Sequence, residues 1–145
     1  MHGPDEEVLR FPAESGCFGC SASNQAGLQL TFRRREGGIF SGYTIPDRFH
    51  GAPGIAHGGI VASIFDELSC AAVFFLKGRH VVTGELGVRY VRPCPVETLL
   101  EFHASIVEGT HGRYAVVEAR AQKDGVLLAR SSGKFFYVER TVSAP

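Results

Sequence analysis

The chain has 145 residues, of which 44% are hydrophobic and 21% charged, a composition that is ordinary for one soluble globular domain. Fifteen basic residues balance fifteen acidic ones, so the zero net charge gives no sign of a surface for nucleic acid or an anionic membrane. We expect no apolar window long enough to span a membrane and find no signal-peptide pattern, which together predict a cytoplasmic protein.

The first residues differ in character from the rest of the chain. Residues 1–16 contain Pro4, Pro12 and an acidic run at positions 5–7, a pattern that favours a loosely ordered arm or a capping turn. We therefore predict an N-terminal arm over residues 1–16 and a single folded domain over residues 17–145.

Cys17 and Cys20 have the one spacing in the sequence that is typical of metal ligands. Structural zinc takes four ligands, usually as two such pairs, whereas Cys70 and Cys94 stand alone. We therefore predict a packed turn with reduced thiols, and neither a metal nor another cofactor. A metal shared between subunits, or completed by a histidine such as His2, is the alternative.

Two strands are predicted before the longest helix. Apolar and polar residues alternate over positions 28–35, which is typical of a half-buried strand. A Glu36-Gly37-Gly38 turn follows, and residues 39–45 return as the second strand. Residues 46–53 then form a loop that leads to the helix.

The sequence pattern over residues 57–77 predicts a long central helix. Apolar residues recur every three or four positions without an internal proline, and Gly78 stands where a C-terminal cap is expected. Asp66 is the one charge on a face of small side chains, while Glu67 points about 100° away, toward solvent or a basic partner. Because ionised groups on a buried helix are rare unless they are paired or used, we predict Asp66 as the functional acid.

The start of this helix offers a second chemical group. Gly58 and Gly59 leave backbone N–H groups open to an anion or a polarised carbonyl oxygen. Gly58 and Asp66 are separated by about 12 Å along the helix axis, which is too far for both to act on one carbonyl carbon. Two copies of the helix would have to supply them, which predicts an active site in a homodimer. For His57, we expect a structural role as the helix cap and a catalytic role of its side chain equally.

Four strand-like segments follow the helix, at residues 81–91, 98–109, 114–123 and 126–138. In the first segment the even-numbered residues from Val82 to Tyr90 are predicted on one face and the odd-numbered ones from Thr83 to Arg89 on the other. The next segments are joined by turns at 109–112 and at Asp124-Gly125. This order predicts an α+β domain, with about six antiparallel strands wrapped around one buried helix.

The central motif resembles that of a known family. The pattern Pro-Gly-x-x-His-Gly-Gly at residues 53–59, then Asp66, then a strand that ends Tyr90-Val91-Arg92-Pro93, is similar to the hotdog-fold acyl-CoA thioesterases. The resemblance is greatest to the phenylacetyl-CoA-type (PaaI-like) branch and its mammalian relatives, and it covers about residues 17–139. It implies a single hotdog domain.

The resemblance also implies roles for individual residues. In the family the aspartate is the nucleophile or general base, and the amide after the histidine polarises the thioester oxygen. A Ser or Thr on the following strand orients the carboxylate or the attacking water. These roles fall on Asp66, on Gly58 with His57 before it, and on Thr83. Some branches carry an Asn or Gln ahead of the histidine, where this chain has His50.

The substrate side of the site is implied in the same way. Family members place basic residues near the Arg-Pro strand end and after the glycine that opens the next long strand, toward the phosphates of coenzyme A. Arginine suits phosphate because its planar donors bind in pairs. The candidates are Arg89, Arg92 and Arg113, with Arg113 preferred. Gly59 and His50 complete the predicted substrate-binding set.

The function implied by the resemblance is hydrolysis of an acyl-CoA thioester to free acid and CoA. It is expected in a homodimer that pairs further into a homotetramer. Two other functions remain open: an acyl-thioester hydratase or dehydratase, with His57 facing Asp66, and a protein that binds acyl-CoA without turnover. The sequence does not identify the acyl group.

Overall fold

The structure is a computed structural model that describes residues 7–11, 15–107 and 112–139. Within these residues the chain forms one α-helix and seven β-strands, together with a single 3-10 turn at Asp47–Phe49. The elements are β1 Val8–Leu9, β2 Phe32–Arg35, β3 Gly38–Thr44, α1 Gly58–Lys77, β4 Val81–Tyr90, β5 Leu99–Ile106, β6 Tyr114–Lys123 and β7 Val126–Tyr137. His2 and the turn predicted at 109–112, except Gly112, lie outside the described residues.

All seven strands join one antiparallel sheet in the order β1-β2-β3-β5-β6-β7-β4. The helix α1 packs against one face of this sheet, in contact with β3 to β7. The predicted helix-on-sheet α+β domain is thus confirmed. The strand count is one higher than expected because Val8–Leu9, in the predicted N-terminal arm, pairs with β2.

The central helix begins and ends almost where the sequence predicts. His57 is the N-cap, and Gly78 ends the helix in the left-handed region at φ 68°. By length and composition α1 could span a membrane, so our expectation that no window qualifies was wrong. Its apolar face is instead buried against the sheet, with Ile64 and Phe65 at 0% exposure. It is the core helix of the domain.

The predicted strand at 28–35 is shorter in the structure, where only Phe32–Arg35 is β-strand. Leu28 and Leu30 are buried as the alternation implies. Their backbone N–H groups, however, donate to the carbonyls of Phe18 and Gly19 in the Cys-x-x-Cys turn, at 2.7 and 2.9 Å. Hydrophobic alternation indicates burial, and here the buried residues belong to a loop that is hydrogen-bonded to the Cys-x-x-Cys turn.

A β-bulge changes the predicted faces of β4. The pairing with β7 shifts register between Thr83 and Glu85, which leaves Gly84 as the extra residue. Consequently Thr83 faces α1 and Val82, predicted on the same face as Leu86, is 53% exposed. A Cβ atom at Gly84 would lie 2.3 Å from the Phe136 ring, so any larger residue at the bulge position would have to displace that ring.

The strands β4 and β7 approach each other closely at Gly133. A Cβ atom there would lie 2.5 Å from the Glu85 carbonyl oxygen and 2.9 Å from the Phe135 ring. We expect Gly133→Ala to lower the free energy of unfolding by about 1–3 kcal/mol, as for other overpacked interiors.

Gly87, on β4, is the matched control because a Cβ atom there would meet only the Ser132 carbonyl oxygen at 3.8 Å. Gly87→Ala should stay within about 0.5 kcal/mol of the native protein. Urea unfolding of the three proteins at one protein concentration measures this difference. Equal stability of the two variants would contradict the packing described here.

Candidate active site

Asp66 and Thr83 form the first part of the candidate site. The Thr83 hydroxyl donates a hydrogen bond to the Asp66 carboxylate, joining the middle of α1 to the start of β4. Asp66 is partly buried, so its carboxylate remains accessible from one side. The bulge at Gly84 makes the contact, because without it Thr83 would point to the outer face.

Cys70 lies one helical turn after Asp66, with its Sγ 3.8 Å from the Thr83 hydroxyl oxygen. Burial, followed by the nearby Asp66 charge, raises the pKa of the Cys70 thiol to about 12. The thiol is therefore neutral near pH 7, and a neutral thiol is a poor nucleophile. The Asp66 carboxylate is therefore a better candidate than this thiol for the reactive group at this position.

The N-terminus of α1 forms the second part. The His57 ring accepts a hydrogen bond from the Gly59 N–H at 2.9 Å, while the His57 carbonyl accepts from Ile60 and Val61 at 2.9 and 3.2 Å. Among the residues that the structure describes, Gly58 is left as the amide of the first turn that donates to nothing. An amide in this position, at the positive end of the helix dipole, can donate to an oxyanion.

Tyr90 fixes this turn and was not among the predicted site residues. Its hydroxyl donates to the Gly58 carbonyl at 2.5 Å, which links the end of β4 to the start of α1. Burial raises the pKa of Tyr90, so the phenol keeps the proton that it donates. The Tyr-x-Arg-Pro pattern was noted in the sequence, but only as the end of a strand.

One protomer does not bring the two parts together. Gly58 and Asp66 lie on the same helix, about 12 Å apart along its axis. The partners of Asp66 and Gly58 are separated along β4 in the same way, because Thr83 lies near the start of this strand and Tyr90 at its end. The structure thus holds two half-sites, one around Asp66 and one around Gly58.

The remaining predicted residues lie around these half-sites without joining them. His50 is next to the loop before α1, where its Nδ1 lies 2.6 Å from the Asp47 carbonyl oxygen. Arg92 follows β4 and donates to the Leu127 carbonyl at 2.7 Å. Arg113 precedes β6, and the pairing of Tyr114 with Phe136 places it at the opposite end of the sheet from Arg92.

A well-defined cavity lies elsewhere. A volume of about 620 Å³ is found on the outer face of the sheet, where Arg89, Arg120 and Arg130 stand in one row beside His103. Apart from Arg89, none of the residues predicted to act in catalysis or to bind substrate lines it. A site that needs two copies of the chain would not form a cavity in one copy, so we base the candidate site on the hydrogen bonds around Asp66 and Gly58.

Glu67, beside Asp66 on α1, has a partner that the sequence did not suggest. Its Oε1 accepts a hydrogen bond from the Cys17 Sγ at 3.3 Å, whereas we expected solvent or a basic partner; the side chain remains partly exposed. Burial, followed by the contact with Glu67, raises the pKa of the Cys20 thiol far above its usual range. Fifty residues separate Cys17 from Glu67, and no local pattern reveals such a contact.

Known proteins match the chain over these same elements. The family model of the thioesterase superfamily matches residues 53–129, more than half of the chain. The human acyl-coenzyme A thioesterase THEM5 is 28% identical over 96 residues, which are 66% of this chain and 38% of that protein. The chain spans about 38% of the length of the curated relatives that it matches.

Solved structures share the fold, and two of them serve as examples. A phenylacetic acid degradation-related protein from Ralstonia eutropha JMP134 aligns with a TM-score of 0.70 and 22% identity, over 83% of this chain and 92% of the other. A Bacillus halodurans protein solved with CoA aligns with a TM-score of 0.67 and 29% identity, over 78% and 76%. The chain therefore belongs to the thioesterase superfamily and has its hotdog fold.

Proposed function

We propose that the chain hydrolyses acyl-CoA thioesters to free acid and CoA, in active sites formed between two copies of itself. The observation that carries the proposal is the Asp66 carboxylate held by the Thr83 hydroxyl, on the same helix as the unused Gly58 amide. THEM5 is an acyl-coenzyme A thioesterase, and the Bacillus halodurans neighbour was solved with CoA. Both relatives support a CoA thioester as the substrate class.

The edge strand β4 is the surface on which we propose that two copies pair. Among the described residues β4 is hydrogen-bonded only to β7, and its other edge carries no strand. Three apolar side chains on it or directly after it are exposed: Val82 by 53%, Tyr90 by 49% and Val91 by 43%. A long edge with exposed apolar groups is a ready template for pairing with another strand.

Antiparallel pairing of two β4 strands about a two-fold axis would unite the half-sites. The start of one strand, with Thr83 and Asp66, would then lie near the end of the other, with Tyr90 and Gly58. Two equivalent active sites would result, one on each side of the axis. Association of two such dimers into a homotetramer, as the family resemblance implies, is part of the same proposal.

In the proposed reaction the thioester carbonyl oxygen accepts a hydrogen bond from the Gly58 amide of one subunit. That donor stabilises the negative charge as the carbonyl carbon becomes tetrahedral. Asp66 of the other subunit takes a proton from water as the new C–O bond forms. The C–S bond then breaks, and the departing CoA sulfur receives that proton from Asp66. Direct attack by Asp66, giving a mixed anhydride that water hydrolyses, fits the same residues. In both routes Thr83 holds the carboxylate.

The position of His57 favours hydrolysis over hydration or dehydration. Those reactions would need the His57 ring as an acid or base opposite Asp66, whereas its Nδ1 accepts the Gly59 N–H at the helix cap, which leaves only Nε2 for such a role. A protein that only binds acyl-CoA would not require the paired Asp66 and Thr83. The phosphates of CoA would be bound by Arg92, by Arg113 or by both. Arg92 lies at the end of the sheet that carries the Gly58 half-site, and Arg113 lies at the end that carries the Asp66 half-site.

Asp66→Asn removes the base or nucleophile but keeps the shape of the side chain. We expect kcat/KM for the best acyl-CoA to fall by about 100-fold or more, in line with the loss of a general base. Thiol release from acetyl-, hexanoyl-, palmitoyl-, phenylacetyl- and hydroxybenzoyl-CoA measures this and identifies the acyl class. Asp124→Asn, at an exposed turn with φ 50° that asparagine also adopts, is the control and should keep full activity. Unchanged turnover in Asp66→Asn would refute the assignment.

Gly58→Pro removes a single N–H group at the first helical position, where proline is well accepted. His57, at φ −59° and ψ 134°, already has the extended conformation that a residue before proline prefers. We expect kcat to fall by about 100-fold, as when one oxyanion donor is lost. Gly58→Ala keeps the N–H, and its Cβ would meet the Tyr90 hydroxyl at an acceptable 3.4 Å. Equal activity of the proline and alanine variants would show that this amide does not act.

A further inference from the structure

We propose that Cys17, Cys20 and Glu67 form a binding site for a thiophilic divalent metal ion of the zinc type. The two Sγ atoms and a Glu67 carboxylate oxygen all lie within 4.8 Å of one another. Among the described residues this is the one group of three potential ligands that meets this distance. The sequence alone supplied two ligands, and the fold adds the third from α1.

The Cys17–Cys20 turn is shaped to present sulfur atoms. The Gly19 N–H donates to the Cys17 Sγ at 3.2 Å, which fixes the position of this sulfur atom within the turn. The Ser21 N–H closes the turn on the Cys17 carbonyl at 3.1 Å. Backbone amides therefore orient the first cysteine toward Glu67 before any ion binds.

The approach of this turn to α1 is fixed by two glycines. A Cβ atom at Gly19 would lie 2.6 Å from the Glu67 Cγ, and one at Gly27 would lie 2.3 Å from the Phe18 carbonyl oxygen. Hydrogen bonds from Leu28 to Phe18 and from Leu30 to Gly19 hold the loop in place. The packing at these glycines and the two hydrogen bonds bring the three ligands together, so their proximity is a property of the packed fold.

The donor set matches zinc better than a hard cation. Two sulfur donors and one carboxylate select a soft or borderline metal over calcium or magnesium. A tetrahedral site with ordinary zinc bond lengths separates sulfur from oxygen by roughly 3.6 Å, and the Cys17 Sγ lies 3.3 Å from Glu67 Oε1. The bound ion would displace the thiol protons. Its fourth position would be taken by the second Glu67 oxygen or by water.

A metal ion would also provide the positive charge that this cluster lacks. In the described part of the chain, Glu67 takes part in no ion pair with a basic side chain. The ion would tie the loop to α1 one residue from Asp66, on the side of the helix that the proposed reaction does not use. The inference is therefore independent of the proposed hydrolysis.

The test is the metal content of the full chain, purified under reducing conditions from cells grown with added zinc. Elemental analysis should find about one zinc ion per chain. After removal of zinc with a chelator, Co²⁺ should bind and give the strong near-ultraviolet absorption of thiolate-to-cobalt charge transfer. Zn²⁺ should abolish this absorption by displacement.

Cys17→Ser, Cys20→Ser and Glu67→Gln should each weaken Zn²⁺ binding by more than about 100-fold, because even second-shell changes cost 10- to 100-fold. Cys94→Ala and Glu118→Gln change the same residue types outside the cluster and should bind as the native protein does. Circular dichroism separates loss of the site from loss of the fold.

Native protein without zinc, and without charge-transfer absorption when Co²⁺ is added, would overturn the proposal. So would equal binding by the native protein and the three site variants. A Cys17–Cys20 disulfide found by mass spectrometry in protein prepared under these reducing conditions would also overturn it, since the thiols would then serve a different purpose.

Discussion

The hydrogen bond from Thr83 to Asp66 is the contact on which the candidate site depends. It requires β4 to turn a polar side chain toward the helix at a position where strict alternation would turn it outward. The bulge at Gly84 provides that change, and the Phe136 ring, which would lie 2.3 Å from any Cβ there, favours glycine at this position. The β-bulge in the edge strand β4 thus places the hydroxyl group that holds the Asp66 carboxylate.

A second constraint follows from the geometry of a helix. The acid and the free amide are carried by the same rigid element about 12 Å apart, and no side-chain rotation can close that distance. The edge strand β4 runs between the same two half-sites, with its outer edge unpaired among the described residues. Association of two copies through β4 is then the simplest way for this sequence to assemble complete sites. The proposed reaction therefore depends on the proposed dimer, and the two are tested together.

The sequence predicted the elements that depend on local patterns. The 3.6-residue period and the caps gave α1 to within one residue, and Tyr114–Lys123 agrees with the predicted strand at both ends. The local patterns gave wrong predictions where contacts with residues distant in the sequence determine the structure. Leu28 and Leu30 alternate like a strand because a loop buries them, and Val82 turns outward because β7 imposes a bulge on β4. A short window of sequence around these residues contains neither the turn that binds the loop nor the strand β7.

The candidate site shows the same division. Asp66, Gly58 and Thr83 could be named from the sequence because the motif and its family resemblance point to them. The contact of Tyr90 with Gly58 spans 32 residues and that of Cys17 with Glu67 spans 50, so only the fold reveals them. Glu67 illustrates the limit: its direction on the helix was predicted, but the loop that meets it was not.

The central claim is that Gly58 of one subunit and Asp66 of another share each active site. Mixing Gly58→Pro with Asp66→Asn chains, through unfolding and refolding together, tests it directly. Random pairing makes half of the dimers mixed, and each mixed dimer has one intact site of two, so about a quarter of the native activity should return. Refolding each variant alone is the control. If the mixture stays as inactive as its components while mixed dimers form, the two residues do not act across subunits.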